Sequence, residues 1–271
     1  MSDKRAIGVF DSGLGGLTVV RELFKTLPNE EIIYFGDTGR VPYGTRSVET
    51  IKKYATQHER FLLRRDVNLI VAACGTVSSV ASDTADELPV PFFEVVSHAA
   101  KAAVEATKNG KIAFIGTNAT VKSRQHEKQI LSLMPSAEVL NQNCNLFVPL
   151  VEEGWYSADD IVVLETVSRY LKPVFEFGAD TLILGCTHYP ILSEAISKIL
   201  GDGVTLINAG TATADAVKQY LLENDMQNEE VNVKHSFYVS DKPDSFVKQA
   251  SVLLGREVDG NNVQKVDINN L

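Results

Sequence analysis

Short, mostly apolar runs alternate with longer amphipathic segments along nearly the whole chain, and this alternation constrains the fold more than any other feature. Runs typical of buried strands lie at 6–10, 31–35, 69–73, 111–115 and 181–184. Between such runs, segments such as 17–27 repeat apolar residues at helical spacing. Because parallel strands need crossover connections of this length, the sequence predicts an α/β fold of mainly parallel sheets flanked by helices.

Two cysteines occupy comparable positions in two halves of this pattern. Cys74 and Cys186 each close an apolar run and precede a predicted helix, 112 positions apart (186 − 74). This weak internal repeat predicts two similar lobes. We expect residues 1–97 and 208–271 to form the first lobe and residues 98–207 to form the second.

Four local patterns add predictions about single elements. Ser47 stands where an N-cap is expected for a helix that follows it. Residues 116–120 are predicted to form a loop, and residues 158–177 a long helix interrupted by Pro173. The polar, Asn-rich tail from Val258 is predicted to be frayed.

Composition excludes several classes of protein. The chain has 271 residues and a net charge of −9, which disfavours broad nucleic-acid binding because such binding needs a basic surface. No stretch approaches 18 continuous apolar residues, so no membrane association is expected. Three cysteines are too few for a disulfide scaffold, and without a recognisable signal peptide they predict free thiols in a reducing, cytoplasmic location.

The carboxyl ends of the predicted strands carry most of the chemically active side chains, and ligands of open α/β sheets bind beyond those ends. The residues there are Asp11, Ser12, Asp37, Cys74, Gly75, Thr76, Thr117, Cys186, Thr187 and His188. Cys74 and Cys186 both precede a helix start, where backbone N–H groups favour an anion, so both thiols are predicted to ionise easily. Cys144 has no such setting and is predicted to be structural.

Several of these residues have two interpretations. His188, two residues after Cys186, is either structural or a general acid–base group. Asp11 is as typical of an Asp-Ser-Gly turn as of a site. Tyr43 and Gly44 either line a pocket or anchor their loop.

Two common kinds of ligand site do not fit the spacing of the residues that would form them. The glycines at 13, 15 and 16 match neither the P-loop nor the dinucleotide-binding pattern. No Cys-x-x-Cys or His-x-x-x-His occurs, so no zinc or other metal site is expected.

Five short motifs stand in an order and spacing typical of one enzyme family. They are VFDSGLGG at 9–16, YFGDT at 34–38, VPYG at 41–44, ACGT at 73–76 and GCTHYP at 185–190. On these motifs the chain resembles the glutamate racemases of the aspartate/glutamate racemase family over most of its length. The histidine after Cys-Thr favours the glutamate over the aspartate enzymes.

The resemblance implies racemisation of glutamate without a cofactor, with Cys74 and Cys186 on opposite sides of the substrate α-carbon in a cleft between the lobes. One thiolate removes the α-proton and the other thiol returns a proton to the opposite face. By family analogy Cys74 serves D-glutamate and Cys186 serves L-glutamate. Asp11 would assist Cys74, and His188 with Glu152 would assist Cys186.

The resemblance also implies a set of substrate contacts. These are Asp11, Ser12, Tyr43, Gly44, Gly75, Thr76, Thr117, Thr120, Thr187 and His188, with Asp37 supporting them from behind. It further implies a homodimer and a role in supplying D-glutamate for bacterial cell-wall peptidoglycan.

One position departs from the family. Gly75 stands where the family usually has Asn, which removes a side-chain amide from the expected substrate contacts. Two alternatives therefore stay open: a racemase of aspartate or another small amino acid, and a regulatory homologue with weakened catalysis. The presence of both Cys74 and Cys186 argues against the second. A thiol hydrolase using Cys186 and His188 would leave Cys74 unexplained.

Overall fold

The computed structural model describes residues 3–230 and 233–267. The chain forms two compact units. The first unit contains Met1–Val95 and Thr213–Leu271, and the second contains Val96–Ala212. Each unit is built on one sheet of parallel strands with helices between the strands.

The bounds of the elements in the described residues are as follows. The strands are β1 (Ile7–Asp11), β2 (Ile32–Gly36), β3 (Leu69–Ala72), β4 (Phe92–Glu94), β5 (Lys111–Gly116), β6 (Glu138–Asn143), β7 (Thr181–Leu184), β8 (Thr205–Asn208), β9 (Ser236–Val239) and β10 (Val263–Lys265). The α-helices are α1 (Leu17–Thr26), α2 (Val48–Leu63), α3 (Gly75–Val80), α4 (Val95–Ala106), α5 (Asn118–Ser123), α6 (Gln125–Leu133), α7 (Phe147–Glu152), α8 (Ile161–Phe177), α9 (Ser193–Leu200), α10 (Ala209–Glu223) and α11 (Pro243–Leu254). Single turns of 3₁₀ helix lie at Tyr43–Thr45, Ser82–Ala85, Tyr189–Leu192 and Gly260–Asn262.

The sheet of the first unit has the strand order β10-β9-β2-β1-β3-β4, and every neighbouring pair is parallel. Ile7 of β1 pairs with Ile32 of β2 and with Leu69 of β3. Every residue of β1, β2 and β3 is buried, which is expected for parallel strands covered by helices on both faces.

The sheet of the second unit has the order β6-β5-β7-β8 and is also parallel throughout. Helix α8 packs on it through Val163, Val167, Leu171 and Val174, all fully buried and three or four positions apart. The predicted α/β class, with two parallel sheets flanked by helices, is therefore confirmed.

Helix starts and interruptions agree with the sequence in one case and differ in two. The Ser47 side chain accepts a hydrogen bond from Thr50 N at 3.2 Å, as predicted for an N-cap of α2. The predicted interruption at Pro173 is wrong, because α8 continues through this residue to Phe177. Buried residues in the neighbouring turns hold the helix against the core. The predicted loop at 116–120 is wrong beyond Thr117, where α5 begins.

The tail of the chain is more ordered than predicted. Val263 of β10 pairs with Phe237 of β9, so residues 263–265 form an edge strand of the first sheet. The prediction of a frayed tail is therefore wrong for this segment, since the backbone groups of the neighbouring strand β9 give it a partner. The part of that prediction on residues 268–271 lies outside the described residues. None of the described helices is long and apolar enough to cross a membrane.

Candidate active site

Most of the predicted site residues follow the carboxyl ends of the strands in both units, whereas Glu152 is the last residue of α7. In the first unit they form what we call the Cys74 cluster: Asp11, Ser12, Asp37, Tyr43, Gly44, Cys74, Gly75 and Thr76. In the second unit they form the Cys186 cluster: Thr117, Thr120, Glu152, Cys186, Thr187 and His188. Each cysteine lies two residues beyond the end of an internal strand, β3 for Cys74 and β7 for Cys186.

Cys74 is the N-cap residue of α3 and is 3% exposed. Its Sγ lies 3.3 Å from the Ser12 Oγ in a hydrogen bond. Burial and the nearby Asp11 carboxylate raise the pKa of the Cys74 thiol to about 11, against a smaller opposing effect of the Ser12 hydrogen bond. The predicted easy ionisation is therefore wrong for Cys74, because removal from water outweighs the favourable helix start.

The glycine turn after β1 brings Asp11 close to its neighbours. The Asp11 Oδ2 accepts a hydrogen bond from Gly13 N at 2.9 Å. A Cβ at Gly16 would lie 2.5 Å from the Asp11 Cβ, and one at Gly36 would lie 2.4 Å from the Gly13 carbonyl oxygen. These glycines thus permit close packing around Asp11, which accounts for a glycine-rich segment that matches no phosphate-binding motif.

Asp37 is the centre of a buried polar network behind the Cys74 cluster. Its Oδ2 accepts from Arg40 Nε at 2.6 Å and from the Tyr43 hydroxyl, and it lies 3.2 Å from His58 Nε2. Its Oδ1 accepts from the Ser240 hydroxyl at 2.8 Å. Burial opposes ionisation, but these partners outweigh it and hold the pKa of Asp37 below its usual range.

Sequence reasoning missed three members of this network: Arg40, His58 and Ser240. Two of them carried a signal. Arg40 follows Asp37 by three residues, and His58 lies at helical spacing from the buried Ala55 and Leu62. A polar residue on an otherwise apolar helix face indicates a buried partner.

Four predicted substrate contacts of the first unit differ in their exposure to solvent. Tyr43 is 2% exposed and its hydroxyl is directed to Asp37, whereas the neighbouring Gly44 is exposed. Gly75 and Thr76, at the start of α3, are partly exposed.

Cys186 is partly exposed, unlike the buried Cys74. The Cys186 Sγ lies 3.9 Å from His188 Nδ1, and His188 Nε2 lies 3.4 Å from the Glu152 Oε1. Burial disfavours a charge on His188, but its contacts with Cys186 and Glu152 outweigh burial and raise its pKa to about 10. The hydrogen bond from His188 in turn lowers the pKa of Glu152. At neutral pH a positive imidazolium therefore lies between the sulfur and a carboxylate.

Thr117 and Thr120 follow the end of β5. The Thr117 and Thr120 hydroxyl oxygens are 3.1 Å apart and hydrogen-bonded, and Thr120 is buried while Thr117 is partly exposed. Thr187 is also partly exposed. In the described residues, no group of three or more His, Cys, Asp or Glu side chains could hold a metal ion.

Two glycines let the ends of β5 and β7 lie against the ring of Phe114. A Cβ at Gly116 would be 2.5 Å from the Phe114 ring, and one at Gly185 would be 1.8 Å from it.

Cys144 directly follows β6 and is fully buried. Its carbonyl accepts a hydrogen bond from the Tyr189 hydroxyl at 2.9 Å. Burial raises the pKa of the Cys144 thiol, so this residue is a buried, neutral part of the core.

Each parallel α/β unit carries a cysteine beyond an internal strand, as the resemblance to the racemases implies. The sequence model of the Asp/Glu/Hydantoin racemase family matches residues 7–217 of the chain. The chain therefore belongs to the Asp/Glu/Hydantoin racemase family, as the sequence motifs predicted.

Individual relatives and solved structures agree with this assignment. The chain is 44% identical over 264 residues to a protein of Syntrophus aciditrophicus (strain SB) named glutamate racemase, covering 97% of this chain and 96% of that protein. It is similar to the crystal structure of glutamate racemase from Francisella tularensis in complex with D-glutamate (TM-score 0.91, 37% identity, 99% and 100% of the two chains). It is also similar to the Thermus thermophilus glutamate racemase in complex with β-chloro-D-alanine (TM-score 0.89, 40% identity, 100% of both chains).

Proposed function

We propose that this protein interconverts L-glutamate and D-glutamate with two thiols and without a cofactor. The observation that carries the proposal is the matched placement of Cys74 and Cys186, each two residues beyond an internal parallel strand. Each thiol has its own neighbouring acid–base groups, Asp11 in one unit and His188 with Glu152 in the other. The names of the full-length relatives support glutamate as the substrate.

In the proposed reaction one thiol removes the α-proton from one face of the substrate and the other thiol adds a different proton to the opposite face. A Cys186 thiolate takes the α-proton of L-glutamate and becomes a thiol, while the electron pair of the broken C–H bond stays on the substrate as a carbanion delocalised into the carboxylate. The Cys74 thiol then gives its proton to the opposite face and becomes a thiolate. The reverse reaction begins with Cys74 as the base. Two thiols are needed because a single base returns the proton to the face from which it came.

The environments of the two cysteines support a reaction that begins with Cys74 as a thiol and Cys186 as the base. At neutral pH Cys74 is a protonated thiol that can act as an acid, since its pKa is about 11. The imidazolium of His188 lies beside the Cys186 sulfur and attracts a negative charge there. The protein is therefore suited to begin a turnover with L-glutamate.

The remaining predicted residues receive roles as part of the same proposal. The substrate contacts are Ser12, Tyr43, Gly44, Gly75, Thr76, Thr117, Thr120 and Thr187, together with Asp11 and His188. Hydroxyls and backbone N–H groups suit an anionic substrate because they stabilise negative charge without adding a competing acid. Asp37 supports the first cluster through its buried network.

We place this activity in the supply of D-glutamate for peptidoglycan, in a reducing cytoplasm that keeps all three free cysteines as thiols. We further propose that residues 1–97 with 208–271 form one lobe and residues 98–207 form the other. A homodimer is the proposed assembly.

The test is incubation of the purified protein with L-glutamate in deuterated water, without added cofactor, followed by chiral chromatography and mass spectrometry. We expect D-glutamate that carries deuterium at the α-carbon. Absence of both D-glutamate and α-deuterium exchange would refute the proposal. The same assay with L-aspartate distinguishes the alternative substrate, since turnover of aspartate alone would replace glutamate in the proposal.

A further inference from the structure

A buried histidine of the first unit lies beside the loop that carries Tyr43 and Gly44. His58 belongs to α2 and is fully buried. Its ring packs against Phe10 and Phe35, with centroid distances of 5.3 and 4.8 Å. Such a core position is normally apolar, so a polar ring there requires a specific explanation.

The polar contacts of the His58 ring are made by Nε2. This atom lies 3.2 Å from the Asp37 Oδ2, 3.3 Å from the Tyr43 hydroxyl and 3.2 Å from a terminal guanidinium nitrogen of Arg40. Within residues 3–230 and 233–267, Nδ1 has no hydrogen-bond partner. One ring nitrogen therefore faces three polar groups, and the other faces none.

The three groups that Nε2 faces also hold the loop between β2 and α2. Arg40 and Tyr43 both donate to the same carboxylate oxygen of Asp37. The backbone N–H of Asp37 donates to the Asp11 carbonyl at 3.1 Å, which ties the network to the strand end that carries Asp11. Gly44 directly follows Tyr43, so its position depends on this network.

We propose that His58 is a positioning residue for the loop formed by residues 37–44. The inference rests on the proposed function, in which Tyr43 and Gly44 contact the substrate. Nε2 satisfies the network either by donating to Asp37 or by accepting from Arg40, because a guanidinium only donates. Without Nε2 a buried polar group loses its partner, and the loop occupies its binding conformation for less of the time.

Two substitutions of similar size separate this role from a merely structural one. A Gln side chain places a polar atom near the position of Nε2, whereas Asn places one near the position of Nδ1. For His58→Gln we expect a KM for L-glutamate within about twofold of the unsubstituted protein. For His58→Asn we expect KM to rise about tenfold while kcat changes by less than about twofold, because loop positioning affects substrate binding and not the two thiols.

A third substitution and a control keep the test decisive if His58→Asn does not fold. Tyr43→Phe removes the hydroxyl that faces Nε2, and we expect a similar rise in KM. His235→Gln is the control, because His235 lies just before β9, at the amino end of the strands of the same unit, and accepts a hydrogen bond from Ile32 N. We expect this control to lower the unfolding temperature without changing KM.

Steady-state kinetics and thermal unfolding of the full-length variants decide between the roles. Equal KM values in His58→Gln, His58→Asn and the unsubstituted protein would overturn the inference, as would a loss of kcat that only follows the loss of folded protein. An unsubstituted protein that racemises no glutamate would instead overturn the proposed function, and with it the role given to His58.

Discussion

Both candidate catalytic cysteines lie two residues beyond an internal strand, but their environments are opposite. Cys74 caps α3, whereas a turn separates Cys186 from the 3₁₀ helix at Tyr189–Leu192, so the prediction that Cys186 directly precedes a helix start is wrong. Cys74 is almost completely buried, with the neutral Ser12 hydroxyl as a hydrogen-bond partner. Burial and the carboxylate of Asp11 both favour its protonated form. This thiol is therefore kept as an acid at neutral pH.

Cys186 is partly exposed and lies beside a charged pair. His188 is held as an imidazolium by its contacts with the Cys186 sulfur and with Glu152. The strand and the following turn thus fix where a thiol lies, but its side-chain neighbours decide which charge is favoured there. In the proposed reaction one turnover needs one acid and one base, and this asymmetry supplies both.

Removal of either thiol has the largest expected effect. We expect Cys74→Ala and Cys186→Ala each to lower the rate of racemisation about 10⁴-fold, because each removes the thiol that transfers the proton on its face in the proposed reaction. Chiral chromatography of the product measures the loss. Cys144→Ala is the matched control and should keep its rate within about twofold, since Cys144 is buried and neutral. Substantial racemisation by either single variant would contradict the two-thiol reaction.

Replacing the charged neighbour of each thiol should change the alkylation rates of the two thiols in opposite directions. Asp11→Asn removes a carboxylate that raises the pKa of Cys74, so Cys74 should react faster with iodoacetamide at a given pH. His188→Asn removes the positive charge beside Cys186, so Cys186 should react more slowly. We expect changes of about three- to tenfold in alkylation and a loss of about 10²-fold in kcat/KM for each. Changes of the same sign at both thiols would refute the comparison.

Glycine at the strand ends should be required for stability. Gly185→Ala would place a Cβ 1.8 Å from the Phe114 ring, so we expect the free energy of unfolding to fall by about 1–3 kcal/mol. Gly203→Ala is the control, because a Cβ there meets nothing within 4 Å. Urea unfolding measures both. Equal stabilities of the two variants would show that the second sheet tolerates a side chain beneath Cys186.

The charge on His188 should give a smaller, pH-dependent effect on stability. Its pKa is raised from 6.5 to about 10 in the folded protein, so its stabilising contribution is complete below about pH 6.5 and is lost as the pH rises through 10. The stability difference between the unsubstituted protein and His188→Asn should therefore shrink over that interval. The stability difference is small because the Glu152 side chain is exposed and solvent screens its interaction with His188. A difference that grows with pH would contradict the assignment of charge.

Much of the fold was predictable because its signals are local. Apolar strand runs and amphipathic helices alternate clearly enough to give the α/β class, and the cysteines stand directly after two of those runs. The edge strand β10 was not predictable from its polar sequence, because its order comes from pairing with β9. Helix α5 was missed because Gly116 and Thr117 before it and Asn118 at its start are equally typical of a loop.

The positions of the site residues were easier to predict than their charges. The helix start beside Cys74 suggested an easily ionised thiol, but its burial depends on packing that no local pattern reveals. The network around Asp37 joins His58, 21 positions away, and Ser240, 203 positions away. Such contacts arise only when the strands and α2 pack together.

The pH dependence of alkylation of the two thiols in the unsubstituted protein tests this account most directly. Iodoacetamide at a series of pH values, with mass-spectrometric mapping, gives a separate rate for Cys74 and for Cys186. We expect the buried Cys74 to react appreciably only as the pH approaches about 11, and to react more slowly than the partly exposed Cys186 at neutral pH. Alkylation of Cys74 at neutral pH as fast as that of Cys186 would contradict the account.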